Sequence, residues 1–283
     1  LTFVRFGLKC RVETTEWNSK NKNMAETKPT TKQRYHFLDT LRGIAVLGMI
    51  FIHVSYDLPG MLQLYPSYLD STWYAIFEQG VRIIFIGLSG YCAHMGKHPI
   101  RRGITVSLAG ILVTLVTVIT KTEPPIIFGV LTLIGASMIL SAPFKKIINK
   151  KNGAAAGIVF LLLFLVTLHI FDGYLGFYNH PLWYYPEVLY SANHPSLTLI
   201  TAFFGFPGRR FASSDYFPLI PWFFLFLSTF SFHAAFGEAI GKSKLMKLRI
   251  EPVSFLGRQA LIVYLLHQPL IMGILTIISY IRR

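Results

Sequence analysis

The chain is 283 residues long, 53% apolar and only 14% charged, with a formal net charge of +14. A charged fraction well below the about 25% of soluble domains, with a mean hydropathy of +0.49, excludes an ordinary soluble enzyme and predicts an all-α, polytopic membrane helix bundle. The positive charge does not point to nucleic acid: of the 27 Lys and Arg, eight precede Asp39, and most others fall in short clusters between long apolar runs.

Residues 1–35 are polar and basic, with little apolar periodicity, and read as a disordered cytoplasmic tail ahead of a transmembrane domain over 36–283. The chain opens on Leu1, and Met24 stands just before the apolar part, as expected if residues 1–23 precede the natural start. A spanning helix needs about 20 mainly apolar residues, and seven such segments are predicted, at 38–57, 74–95, 103–121, 125–144, 153–171, 216–240 and 257–280. The connection 172–215 is long, rich in Tyr, Trp, Pro and Gly, and its stretch from Leu197 to Phe206 fits a short interfacial or re-entrant helix. Lys and Arg concentrate in the tail and near 97–102, 145–151 and 242–256, whereas the loops 58–73, 121–124 and 172–215 carry three between them. The first set is therefore expected in the cytoplasm and the second outside.

Ionisable residues inside spanning segments are costly and usually face the bundle interior. On the first helix Arg42 and His53 are separated by about three turns, roughly 16 Å, and so share one face. Asp39 and Asp57 fall on the same stripe. The second helix carries Glu78 and Arg82 at i,i+4, either as a neutralising pair or as an anchor beside His53. The last helix carries His267 near its middle, followed by Gln268 and Pro269, and Arg258 at its cytoplasmic start. Before the sixth helix Asp215 suits either a helix cap or a partner for His53, and Trp222 suits an interface. His169 and Asp172 lie at the same outer level. His233 and Glu238, near the inner end of the sixth helix, read as structural. Small residues in FIGLSG and FGVLTLIG predict close helix packing. No metal-ligand spacing, nucleotide-binding Gly-rich loop or nucleophile elbow occurs.

The pieces LDTLRGIAVLGMIFIHVSYDL, FIGLSG, FGVLTLIG, SDYFPLIPWF and FLGRQALIVYLLHQPLI, in order over residues 38–271, resemble the bacterial branch of the heparan-alpha-glucosaminide N-acetyltransferase catalytic family. The first piece also resembles the Arg-x10-His signature of membrane acyltransferase-3 proteins, with Arg42 and His53 in its two positions. The resemblance implies an enzyme of the bacterial cytoplasmic membrane that takes an acetyl group from cytoplasmic acetyl-CoA to an amine or hydroxyl of an extracytoplasmic glycan, without a metal. In that scheme His53, Asp57 and Asp215 are catalytic, Arg42, Arg258 and His267 hold the donor, with Arg101 and Arg102 near the inner mouth, and Glu78, Arg82 and Trp222 meet the acceptor. Lipid and glycan are the implied partners, and a homodimer is a compatible assembly. Two features depart from the family pattern: residues 58–73 hold no His, where eukaryotic members carry one in the first external loop, and Thr132 stands where many bacterial relatives have His. A transporter of a glycan precursor or small anion, and a non-catalytic partner in an envelope complex, are the competing expectations. The charged motifs of the first half have no counterparts in the second, which weighs against a repeat-built transporter.

Overall fold

The computed structural model describes residues 11–12, 33–62, 64–122, 124–190, 195–209 and 211–281. Most of the tail expected at 1–35 lies outside these residues. Two short antiparallel pairs, β1 (Arg11–Val12) with β2 (Gln33–Arg34) and β3 (Tyr174–Phe177) with β4 (His180–Tyr184), accompany ten helices among the described residues. The helices are α1 (His36–Leu62), α2 (Thr72–Met95), α3 (Pro99–Ile119), α4 (Val130–Leu140), α5 (Phe144–Ile147), α6 (Gly153–Thr167), α7 (Pro195–Phe204), α8 (Leu219–Gly241), α9 (Val253–Arg258) and α10 (Ala260–Ile281).

Five helical stretches are long and apolar enough to cross a membrane: His36–Met61, Pro99–Ile119, Gly153–Asp172, Leu219–Gly241 and Ala260–Ile281. Two of the seven predicted spans differ. Helix α2 has 24 residues, enough length, but Glu78, Gln79, Arg82 and His94 lower its apolarity. Helix α4 has only 11, about half the length that a hydrocarbon slab of about 30 Å requires. Its predicted first turn is absent: Phe128 takes a positive φ of 56°, outside the helical region, and the backbone before it is paired with another segment rather than within a helix. The predicted last span is divided, α9 ending at Arg258 and α10 starting at Ala260, with Gln259 between them at φ −105° and ψ 17°. The helix expected within 172–215 is present as α7.

The bundle is layered around α8, which packs on α6 and α2, while α4 packs on α3 and α1 on α9, α2 and α10. The core between them is aliphatic and aromatic, with Val46, Ile86, Leu133, Ile134, Met138, Phe226 and Phe230 almost fully buried. The expected small-residue contacts are present. A Cβ on Gly90 of α2 would run into the backbone carbonyl of Phe226 on α8, and one on Gly135 of α4 into the backbone of Gly103 and Ser107 on α3; Gly257 of α9, outside the two predicted segments, meets the carbonyl of Asp39 on α1 in the same way. The helices therefore touch backbone to backbone at these points, which side chains of any size would prevent. Outward faces, such as Ile104, Leu108 and Leu112 of α3, remain exposed and apolar, as a lipid-facing surface requires.

The segment 124–129 is non-helical, yet its polar backbone is satisfied by a second irregular segment, 213–217. Ile127 N donates to Ser213 Oγ at 2.9 Å, and the same hydroxyl donates to Ile127 O at 3.0 Å. Phe217 N donates to Phe128 O at 3.0 Å. Irregular backbone survives inside a membrane bundle only where protein groups satisfy it in this way. The junction lies against α1, α2 and α10, and it encloses the cavity described next.

Candidate active site

Helix α1 delivers His53 and Asp57 to a cavity of about 350 Å³, because i,i+4 spacing stacks the two on one face. Helix α2 delivers Glu78 and Arg82 by the same spacing, and the 213–217 segment delivers Asp215. Five of the nine residues given site roles from the sequence therefore line one hollow. Arg82 forms an ion pair with Glu78 and lies over the Phe217 ring, 5.8 Å from its centroid. Its side chain is 40% exposed, so the pair is not sealed and the guanidinium remains open to a ligand. Tyr56, one turn beyond His53, donates to Glu78 Oε2 at 3.4 Å.

Asp215 does not cap α8, whose N-cap is Pro218. Its carboxylate instead accepts a hydrogen bond from Tyr264 Oη of α10 at 3.0 Å. It also stands at the amino end of α4, where a Cβ on Gly129 would fall 3.2 Å from Asp215 Oδ2. A helix amino end carries partial positive charge, which complements a carboxylate placed there. On the other wall Gln268 Nε2 donates to Asp57 Oδ2 at 2.8 Å, fastening α10 to α1.

The remaining four candidates lie outside the cavity lining. His267 is buried behind His53, the two rings 4.8 Å apart between centroids. Its Nδ1 sits 2.5 Å from the carbonyl of Tyr264. A carbonyl only accepts, so Nδ1 carries the proton, and Nε2 is buried without a partner. Trp222 is buried against Phe164 and Phe217 and backs the cavity wall rather than facing it. Arg42 is 2% exposed, paired with Asp39 at 3.3 Å and donating to Cys92 Sγ at 3.1 Å, on the part of α1 away from the cavity. Arg258 reaches Glu251 at 2.7 Å and Ser254 at 2.9 Å on the α9 turn. His169 and Asp172, read as lying at the outer level, pair with each other at 2.9 Å.

Tyr264, Gln268 and Tyr56 were not given roles from the sequence. A signal for the first two existed: Tyr264, His267 and Gln268 stand at i, i+3 and i+4 in an otherwise apolar helix, which places three hydrogen-bonding side chains on one stripe. Among the described residues no group of three His, Cys, Asp or Glu stands as a potential metal site.

The arrangement can do general acid–base chemistry. It brings an imidazole, two carboxylates hydrogen-bonded from α10 and a partly exposed guanidinium around a space of small-molecule size. A family model described as "Heparan-alpha-glucosaminide N-acetyltransferase, catalytic" matches residues 34–269. No curated protein and no solved structure matches the chain.

Proposed function

We propose that this chain, which belongs to the heparan-alpha-glucosaminide N-acetyltransferase catalytic family, is a membrane acetyltransferase that moves an acetyl group from acetyl-CoA to an amine or hydroxyl of an extracytoplasmic glycan. The single observation that carries this reading is the convergence of His53, Asp57, Glu78, Arg82 and Asp215 on one cavity within a chain of that family.

His53 is the general base. The acceptor nitrogen or oxygen attacks the thioester carbonyl carbon while His53 takes the proton from the attacking atom. The new C–N or C–O bond forms and the C–S bond breaks. The sulfur leaves with the bonding pair and recovers the proton from the imidazolium, so the sum is acetylated acceptor plus free CoA. Asp57 and Asp215 bear the negative charge that stabilises the imidazolium. His267, behind the His53 ring, positions it. Arg82 and Glu78 bind the acceptor, and Trp222 supports the wall they share.

The topology that serves this reaction has the five long apolar helices and α2 crossing the membrane. Helix α4, together with the irregular 124–129 segment, supplies the seventh crossing. The tail at 1–35 and the basic turns around 97–102, 145–151 and 242–256 face the cytoplasm, where Arg258 stands on the donor side. The 172–215 region faces outward in a bacterial cytoplasmic membrane. Arg42 reaches a donor phosphate only by leaving Asp39, so its first role is to hold α1 in place. No metal takes part in this scheme.

The test uses membranes carrying the full chain, labelled acetyl-CoA and a panel of glucosaminide acceptors. Transfer is expected with wild type. His53→Ala is expected to lower it by about 10²–10⁴-fold, the usual worth of a positioned base, while the protein inserts normally. Wild-type activity in that variant removes the role of His53. Uptake of an acceptor into vesicles with no acetyl transfer points instead to transport, and neither activity, with co-purifying envelope proteins, to a non-catalytic partner.

A further inference from the structure

A second polar cluster, which the transfer step does not use, lies toward the opposite end of α2. His94 stands about three turns, on the order of 18 Å, beyond Arg82. It meets His233 of α8 with Nδ1 2.8 Å from Nδ1. Lys145 of α5 donates to the carbonyl of Gly96 at 2.7 Å. Arg102 of α3 lies against the same glycine, its Nη1 occupying the space a Cβ would need. Lys145 stands within electrostatic reach of Arg102, His94 and His233. Four elements thus gather two cations and two imidazoles around one turn, all four side chains half-buried.

Among the described residues no carboxylate pairs with any of the four. Glu238, further along α8, is engaged by Lys150 and Lys242. Arg102 Nη2 is buried with no hydrogen-bond partner. The first turn of α3, where Arg101 and Arg102 stand, contains no acidic residue, so the positive end of the helix dipole adds to the excess. Burial, and then the Arg102 charge, push the Lys145 ammonium below its ordinary value. Partly desolvated cations without a counter-charge are costly, and an anion would relieve that cost. A guanidinium presents a planar fork of donors to phosphate oxygens and an ammonium adds a point charge.

We propose that Arg102, Lys145, His94 and His233 form a phosphate-binding site, remote from the transfer cavity, that takes either the nucleotide phosphates of CoA or the headgroup of an acidic phospholipid. The first source rests on the acetyltransferase reading and the second does not. The cavity, at about 350 Å³, has room for reacting ends rather than a whole donor, so a separate hold on the phosphates is what the first source needs.

The experiment places the full chain in nanodiscs and compares wild type with Arg102→Gln, Lys145→Gln and the charge-retaining Arg102→Lys. One arm measures affinity for CoA and for pantetheine, which lacks the phosphates. The other measures thermal stabilisation by phosphatidylglycerol over phosphatidylcholine. In one arm R102Q and K145Q are expected to weaken phosphate-dependent binding about tenfold, the worth of one charge-assisted hydrogen bond, and R102K is expected to recover part of it. Loss of CoA affinity with unchanged pantetheine affinity assigns the donor, and loss of the phosphatidylglycerol effect assigns the lipid. If R102Q does not fold, K145Q decides alone. Unchanged behaviour of folded variants in both arms overturns the site, even where acetyl transfer is intact. A wild type that transfers no acetyl group but shows the lipid effect refutes the function proposed above and retains this site.

Discussion

The hydrogen bond from Tyr264 to Asp215 offers a measurable energy in the cavity wall. Tyr264 is 6% exposed and its hydroxyl donates to the carboxylate at 3.0 Å. A charge-assisted hydrogen bond is worth about 1.5–3 kcal/mol net. Because Asp215 also lines the cavity, water can replace part of what is lost, and about 1.5 kcal/mol is expected for Tyr264→Phe. Asp215→Asn keeps an acceptor of the same shape and loses the charge, for about 1 kcal/mol. The double variant is then expected to fall short of the sum by about 1 kcal/mol, above the scatter of about 0.3–0.5 kcal/mol for independent sites. Reversible unfolding in mixed detergent, followed by tryptophan fluorescence, gives the three differences, and transfer assays on the same proteins show whether kcat/KM is coupled likewise. Strict additivity in the double variant would falsify the assignment of the two groups to one unit.

Arg82→Gln is expected to raise the acceptor KM severalfold and leave kcat nearly unchanged, as loss of a uniform binding contact does; steady-state kinetics check it. Gly257→Ala forces a methyl into the Asp39 carbonyl and should cost about 1–3 kcal/mol, typical of overpacking, read as a lower melting temperature. Glu251 is held down to about 2 by Arg258 and then Arg249. A depressed carboxylate contributes stability that is present above its ordinary value of 4.5 and lost as pH falls toward about 2. Glu251→Gln is therefore expected to lower the melting temperature at pH 7 and to shift it much less at pH 2, where about half of these carboxylates are protonated.

The helical class and the first-helix stripe were legible because buried charge in an apolar run is expensive and must face inward, which is how His53 and Asp57 come to line the cavity with Glu78 and Arg82. The stripe is not uniform, however. Its lower half, Asp39 and Arg42, is packed away beside α9, because Gly43 and Gly257 let the two backbones meet there. Spacing alone does not show what a neighbouring helix will cover. The shortening of α4 was hidden by an apolar run that reads the same in a helix and in irregular backbone. Pro124 and Pro125 did not announce it, since Pro is tolerated where a helix begins. The partner of Asp215 was not legible either, since Tyr264 lies 49 residues away and the contact depends on where α10 crosses the 213–217 segment. His267 illustrates a further limit: its place on the helix could be read, but not that it would sit behind another imidazole.

The brevity of α4 has a consequence for how the bilayer can act on the pocket. Its eleven residues rise about 16 Å, but seven of them are buried and only Leu140 is exposed, so acyl chains do not have to adjust to the short helix. Hydrophobic mismatch acts instead on elements whose apolar faces are open, such as α3 with Ile104, Leu108 and Leu112. A change of membrane thickness therefore reaches the pocket wall second-hand, through the packing of α3 on α4.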